Sequence, residues 1–397
     1  MPRPTFDRRT ATLAVLACFA AIAVAAYGLW DLIIVHQVLK TDFGAHLRRV
    51  HALLQTDSYI LSGHFLFQTL TAGVAASLDV APERAAVLVM VASTVASAAV
   101  IYGLYLAPPA KRQDLPLRLA LAISALIATA IFLPFFNRIY SGQSSPNVWH
   151  NPTNVLLKPF ALLGAIYLER ILFKKPGTWT YVAFVAAAVT GLAAKPAFVL
   201  LLIPVLAAAV VVANLPPRLR MLPRDYLALD RSTCLVLLGI ALGLLALLVI
   251  QGIYIFTVVQ HESHVVVAPF AVWSRTSPFI PLSLLLAVAF PAAVTWLDWK
   301  KGVRLEGLAL AWAFVGVALC IRSLFAEAGP AMMHGNFGWP YQIALSVLFA
   351  FSVRSYYRHA VAAEKGAGFG IATALLFAHV VSGCYYLYQV LVLGRYL

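Results

Sequence analysis

The polar residues between positions 39 and 70 could carry out acid–base chemistry. The stretch "LKTDFGAHLRRVHALLQTDSYILSGHFLFQTL" directly follows a hydrophobic run that is long enough to cross a bilayer. Asp42, His46 and Arg49 are spaced i, i+4 and i+7, so a helix would place them on one face. A carboxylate beside imidazoles can take up a proton and release it again. We therefore predict that Asp42, His46 and His64 are catalytic residues.

The helix that carries these residues is predicted to be amphipathic. Leu47, Val50, Leu53 and Leu54 fall on its apolar side and are expected to face the membrane. As an alternative, Asp42 only caps this helix while the basic residues contact lipid headgroups. That alternative explains the helix, but it leaves the three histidines of the stretch without a role.

Four cations stand in or beside apolar runs, where charge is costly and usually functional. We predict that they bind a lipid phosphate or pyrophosphate; for Lys195, the alternative is a side chain that reaches out to the interface. The predicted phosphate-binding residues are Lys158, Lys195, Arg275 and Arg322.

Three further segments offer groups that can bind sugar hydroxyls: "WHNPTN", "HES", and "HGNFGW" together with the preceding Glu327. Their alternatives are a capped helix start with Trp149 as an interface anchor, ordinary loop polarity, and a polar helix cap. The predicted sugar- or acceptor-binding residues are His150, Asn151, Glu262, Glu327, His334, Asn336 and Trp339. The spacing of His261 and His264 is compatible with metal binding but does not define a metal site, so no metal ligand is predicted and a divalent cation stays an alternative.

The composition indicates a membrane protein. Of 397 residues, 62% are hydrophobic and 11% are charged, whereas soluble proteins carry about 25% charged residues. The net charge of +14 comes from Lys and Arg in short segments between apolar runs, a pattern typical of membrane topology rather than of nucleic-acid binding. The four cysteines lie far apart in apolar runs and indicate neither disulfides nor a metal site.

These features predict an all-α polytopic membrane protein, with residues 1–397 forming a single integral-membrane domain and no soluble domain. The basic segments place the N-terminus in the cytoplasm, residues 36–82 in the first external loop and residues 83–397 in the remaining transmembrane bundle. Residues 64–80 are placed along the outer interface or in a shallow re-entrant helix, because a crossing there would put Lys111 and Arg112 outside. The eleven predicted spans are 11–35, 83–107, 118–137, 153–173, 179–194, 196–213, 232–257, 278–297, 305–325, 339–356 and 367–393.

The first external loop resembles that of the GT-C glycosyltransferases, polytopic enzymes that use sugars linked to polyprenyl phosphate. The resemblance lies in "TDFGAH" after the first helix and in "GHFLFQTL" before the next crossing. It covers the N-terminal 110 residues best and the rest by topology alone. The pieces "SSPNVWHNPT", "KPAF" and "HGNFGW" also look like those of bacterial membrane proteins tied to surface polysaccharide synthesis.

The resemblance implies a catalytic role for Asp42 and places His64 at the polar position that opens the second juxtamembrane helix. It further implies an inverting transferase in the bacterial cytoplasmic membrane, with its active site on the external, periplasmic face. The donor would be a polyprenyl-phosphate-linked sugar, and the acceptor a lipid or glycan. Asp42 lacks the adjacent second acid of many members, which argues against a bound metal ion.

Three other classes stay open. A lipid-linked polysaccharide polymerase or ligase would use a similar donor on the same face. A lipid or glycan transporter, or flippase, is disfavoured because the polar groups gather on one side and no internal repeat is present. A non-catalytic scaffold would need neither buried lysines nor clustered histidines.

Overall fold

The computed structural model describes residues 8–36, 42–55, 62–104, 114–136, 144–174, 176–216, 226–259, 264–329, 332 and 335–394. Two predicted sugar-binding residues, Glu262 and His334, lie outside these described residues.

The described chain is almost entirely helical, which confirms the all-α prediction. The first half contains α1 (Arg8–Asp31, continued by a π-helical turn Leu32–His36), α2 (Phe43–Gln55), α3 (Phe65–Leu78), α4 (Pro82–Leu104), α5 (Leu115–Ile127), α6 (Pro152–Phe173), α7 (Thr178–Ala194) and α8 (Ala197–Asn214). The second half contains α9 (Arg231–Tyr254, continued by a π-helical turn Ile255–Val259), β1 (Val265–Val267), α10 (Trp273–Thr276), α11 (Ile280–Lys300), α12 (Glu306–Leu324), β2 (Phe325–Glu327), a 3₁₀ turn (Asn336–Gly338), α13 (Trp339–Val361) and α14 (Ala367–Leu391).

Seven helical segments of the described chain are long and apolar enough to cross a bilayer, which is the architecture of a multi-pass membrane protein. The predicted number of eleven spans is not confirmed. Helices α5 and α7 are apolar but shorter than the seven. Helices α6 and α13 are long enough, but they carry ionisable and amide side chains along their length. The seven segments are Thr12–His36, Pro82–Leu104, Ala197–Asn214, Arg231–Val259, Ile280–Lys300, Glu306–Leu324 and Ala367–Leu391.

Helix α13 forms the centre of the bundle and packs against α5, α6, α8, α11 and α12. It is buried along almost its whole length, so its polar side chains meet protein rather than lipid. Helices α6 and α13 run in the same direction, since His150 contacts Trp339 at their starts and Glu169 contacts Arg354 farther along. The polar side chains of α6 and α13, which would be costly to expose to lipid, are thus packed inside the protein.

Helices α2 and α3 pack onto the bundle. Leu47 and Val50 of α2 are buried in the protein, so the prediction that they face the membrane is wrong, whereas Leu54 of the same predicted face is exposed. The reason is that aromatic neighbours cover the buried part of this face: Phe43 lies 6.0 Å from Phe67 of α3, measured between ring centroids. Helix α3 packs in turn against α2, α4, α6 and α7.

Trp149 is also placed differently from its prediction as an interface anchor. It is buried, and its ring centroid lies 5.5 Å from that of Trp30 in α1. The loop before α6 therefore folds into the core, because an aromatic partner is available there.

The antiparallel strands β1 and β2 form a short ribbon that joins two segments predicted to be external. Val265 is paired with Glu327, and Val267 with Phe325. This pairing places Glu327 at a fixed position beside the starts of α6 and α13.

Candidate functional site

A polar cavity of about 440 Å³ lies where α2, the loop before α6, the turn between α7 and α8, and the start of α13 meet. It gathers most of the predicted site residues from segments that are far apart in sequence. Those that line it are Asp42, His46, His64, His150, Asn151, Lys195, Arg322, Glu327, Asn336 and Trp339. The one-face arrangement of Asp42, His46 and Arg49 is confirmed, as all three line this cavity.

Asp42 is fixed to the loop before α6 by two hydrogen bonds. Its backbone N–H donates to the carbonyl of His150 at 3.1 Å, and its Oδ2 accepts from Nδ2 of Asn151 at 2.6 Å. One donor to a carboxylate leaves several lone pairs available. The carboxylate is therefore held in place and can still act as a base.

Asn151 has the geometry of a positioning residue rather than of the predicted sugar contact. As the N-cap of α6, its Oδ1 accepts from the backbone N–H of Asn154 and from Oγ1 of Thr153, both at 2.9 Å. The same oxygen accepts from Nζ of Lys195 at 3.2 Å. Three donors on the oxygen fix the amide, so Nδ2 points at Asp42.

Two cations of the cavity are held by rings and amides. The Nζ of Lys195 lies 4.0 Å from the centre of the Trp339 ring, besides its contact with Asn151. The guanidinium of Arg322 lies 4.2 Å from the ring centre of Trp273 and 5.5 Å from that of Tyr341. Cation–π contacts attract the charge without neutralising it, so these groups can still attract an anion.

Burial sets the protonation of Lys195. Removal from water lowers the pKa of this ammonium from its ordinary value to about 7, while Asp42 opposes the shift by favouring the charged form. Lys195 is thus poised to gain or lose its charge near neutral pH.

The histidines of the cavity are held neutral. Burial lowers the pKa of His46 and of His64 to about 3, and the positive charges of Arg49 and Lys195 act in the same direction. Burial also lowers the pKa of His150, although the nearby Asp42 opposes the shift. Neutral imidazoles can accept as well as donate hydrogen bonds, which suits the recognition of hydroxyl groups.

Glu327 and Asn336 form a pair on the opposite wall of the cavity. Nδ2 of Asn336 donates to both carboxylate oxygens of Glu327, at 2.9 Å each. The amide oxygen and the remaining carboxylate lone pairs can bind further hydroxyls.

An apolar groove of about 270 Å³ adjoins the cavity and runs between α8 and α9. Leu200 and Leu248 lie on its walls, together with Ile255, Phe256 and Val259 of the π-helical turn. The groove and the cavity share five lining residues: Arg49, His64, Glu327, Asn336 and Phe337. One ligand could therefore occupy both spaces.

Two predicted phosphate-binding residues do not line the cavity. Lys158 is buried inside α6 and donates to Oδ1 of Asn147 at 2.5 Å, beside a void of about 10 Å³. Arg275 is exposed on α10. Neither side chain is part of the cavity lining around Asp42.

Sequence reasoning missed three polar or aromatic residues around the site. Trp273 and Gln342 line the cavity, and Gln68 contacts His46 from α3. Gln68 and Gln342 are amides that stand among apolar residues of their helices. Such an isolated polar residue is the sequence feature that could have indicated a functional position. Trp273 had no such signal, because tryptophans are frequent at membrane interfaces.

The described residues do not fit a metal centre. Within them, no three His, Cys, Asp or Glu side chains come together closely enough to hold an ion. The carboxylate of Asp42 is instead paired with an amide and faces a lysine.

The comparisons with known proteins assign no family. No protein-family model matches this chain, and no curated protein shows significant similarity to it.

Proposed function

We propose that the protein is a membrane glycosyltransferase that moves a sugar from a polyprenyl-phosphate-linked donor to a lipid or glycan acceptor. The observation that carries the proposal is the junction of a polar, cation-containing cavity with an apolar groove. A polyprenyl-phosphate sugar has the matching chemistry: a long apolar chain, an anionic phosphate and a hydroxyl-rich head.

Asp42 acts as the base in this proposal. The proton of the acceptor hydroxyl passes to the Asp42 carboxylate while the acceptor oxygen forms a bond to the anomeric carbon of the sugar. The bond between that carbon and the phosphate oxygen breaks, and its electron pair leaves with the lipid phosphate. Asn151 keeps the carboxylate oriented through the 2.6 Å hydrogen bond.

Lys195 and Arg322 stabilise the charge that develops on the departing phosphate. Preorganised donors in a site shielded from water are the largest single source of catalysis in many enzymes. Neither cation needs to move, since Trp339 holds Lys195 and Trp273 holds Arg322. The sugar hydroxyls are bound by His150, Glu327 and Asn336, with Trp339 as a stacking surface.

The proposed location is the bacterial cytoplasmic membrane, with the cavity on the external, periplasmic side. Two features support this orientation. The first basic cluster precedes the apolar span Thr12–His36, and the cavity lies at the far end of that first crossing.

A transfer assay tests the proposal. Purified protein in lipid nanodiscs is incubated with polyprenyl phosphates that carry different hexoses or pentoses, together with a glycolipid extract as acceptor. Mass spectrometry then follows release of polyprenyl phosphate and extension of the acceptor. Addition of one sugar indicates a transferase, and repeated addition a polymerase. In sealed proteoliposomes, movement of intact donor across the bilayer without sugar release would indicate a transporter and overturn the proposal.

Asp42→Asn is the decisive variant in this assay. We expect it to fold normally, because an amide fills the same space, and to lower the transfer rate by about 10²–10⁴, the usual contribution of a general base. Asp31→Asn is the matched control: it removes a carboxylate that pairs with Arg84 outside the cavity and should transfer at the wild-type rate. Near-normal turnover by Asp42→Asn would refute the role of Asp42 as base.

A further inference from the structure

The buried amide of Gln68 determines which nitrogen of His46 carries a proton. Gln68 lies on α3 and is fully buried. Its Nε2 donates to the backbone carbonyls of His64 and Phe65, at 2.5 and 3.1 Å. The opposite orientation would place the amide oxygen against two carbonyl oxygens, which repel it. The amide therefore has one stable orientation.

This orientation places Oε1 of Gln68 2.6 Å from Nδ1 of His46. The oxygen can only accept, so Nδ1 must carry the hydrogen of the neutral ring. The other ring nitrogen, Nε2, then has an unprotonated lone pair. His46 lines the polar cavity and Gln68 does not, so Nδ1 faces α3 while the Nε2 edge remains on the side of the cavity.

We propose that Gln68 is a positioning residue that fixes His46 as the Nδ1–H tautomer, so that Nε2 accepts a hydrogen bond from a hydroxyl of the substrate. The tautomer follows from the geometry alone, whereas the bond to a substrate hydroxyl rests on the function proposed above. His46 then serves hydroxyl recognition, and the proton of the acceptor passes to Asp42.

The charged surroundings support this role. His64, Arg49 and Lys195 are the ionisable groups that act on His46, and each of them opposes a positive charge on its ring. The ring thus stays neutral at working pH, and its cavity side remains an acceptor. A protonated ring would instead present a donor to the substrate.

Nitrogen NMR of isotope-labelled histidine tests the tautomer without any substrate. The wild-type protein in nanodiscs should show His46 with a protonated Nδ1 and an unprotonated Nε2. The His46 signals are assigned by their absence from the spectrum of His46→Gln. In Gln68→Met, which fills similar space without an acceptor, the Nε2–H tautomer should appear. Thr71→Val is the control, since it removes another buried polar group of α3 whose hydroxyl makes no hydrogen bond within the described chain. A protonated Nε2 in the wild type, or an unchanged tautomer in Gln68→Met, overturns the proposal.

Transfer kinetics test the hydroxyl contact. His46→Met removes the acceptor and should lower kcat/KM about tenfold, the effect of one neutral hydrogen bond. His46→Gln carries an amide oxygen that reaches the position of Nε2 and should restore part of that loss. The kcat/KM of Gln68→Met should lie between the values of His46→Met and His46→Gln. Wild-type kinetics in His46→Met would overturn the hydroxyl contact. If the wild-type protein transfers no sugar at all, the proposed function fails, and the NMR result still decides the tautomer.

Discussion

Buried charge is handled differently at the two ends of the parallel helices α6 and α13. At their starts, Lys195 is held by an amide and a tryptophan ring. Roughly 27 Å along α6, at about 1.5 Å per residue, Glu169 forms a two-point ion pair with Arg354 at 2.8 and 2.5 Å. The first arrangement holds the positive charge without a direct ion pair, although Asp42 lies nearby, whereas the second pairs opposite charges directly.

A second cluster at the ion-pair end follows the same rule. Asp298 is almost fully buried and accepts from His359 at 2.7 Å and from Ser355. Arg358 lies 3.5 Å from the same carboxylate. Opposite charges are paired with one another here, so this end is suited to holding helices together. At the cavity end, Lys195 contacts an amide and a ring instead of forming a direct ion pair, which makes this end suited to binding an anion.

The two buried lysines give the largest expected contrast. Lys195→Met removes a cavity cation, and we expect the transfer rate to fall by about 10²–10³, the usual effect of losing one preorganised donor. Its fold should persist, because Oδ1 of Asn151 still accepts from Thr153 and Asn154.

Lys158→Met is the matched control for that variant. It leaves Oδ1 of Asn147 without its donor and should cost about 1–3 kcal/mol of stability. The folded fraction should transfer sugar at the wild-type rate. Transfer rates and melting temperatures of both variants check the contrast, and a rate loss confined to Lys158→Met would reverse the roles assigned to the two lysines.

The ion-pair end should respond in stability rather than in chemistry. Glu169→Gln leaves the partly buried guanidinium of Arg354 without its charge partner, and breaking a buried pair typically costs about 3–5 kcal/mol. We expect a lower melting temperature in detergent and an unchanged transfer rate at low temperature.

The exposed pair between Arg304 and Glu306 provides the control, because surface ion pairs contribute little. Glu306→Gln should melt like the wild type. A transfer defect in Glu169→Gln at temperatures where it remains folded would show that the two ends are coupled.

The smallest expected effect is a pH dependence at the cavity end. The pKa of Lys195 is lowered to about 7, so the free protein loses this positive charge as the pH rises through that value. We expect kcat/KM to fall about tenfold per pH unit above it, because kcat/KM reports the ionisation of the free enzyme. In Lys195→Arg the fall should disappear, since arginine stays protonated. A fall that persists unchanged in that variant would assign it to another group.

The sequence predicted the helical class, the site of Asp42 and the gathering of polar residues from distant segments. The helical class is confirmed, because hydrophobic runs must satisfy their backbone polarity in helices. The polar residues of distant segments do line one cavity, while the role of Asp42 stays a prediction. The break between the predicted spans 179–194 and 196–213 and the start of the predicted span 83–107 agree with the observed helix bounds to within one residue. The predicted outward face of α2 was wrong for Leu47 and Val50, because the sequence does not specify whether an apolar side chain meets lipid or protein.

The sequence by itself determined which residues could do chemistry and that helices must carry them. Only the tertiary structure decided which of them share a cavity: Lys195 lines it, whereas Lys158, equally isolated in sequence, is hydrogen-bonded to Asn147. It also decided that Asn151 orients Asp42 and that Gln68 orients His46. The physical reason is that hydrogen bonds and ring contacts depend on distances of a few ångströms between segments, which the spacing within one segment does not specify.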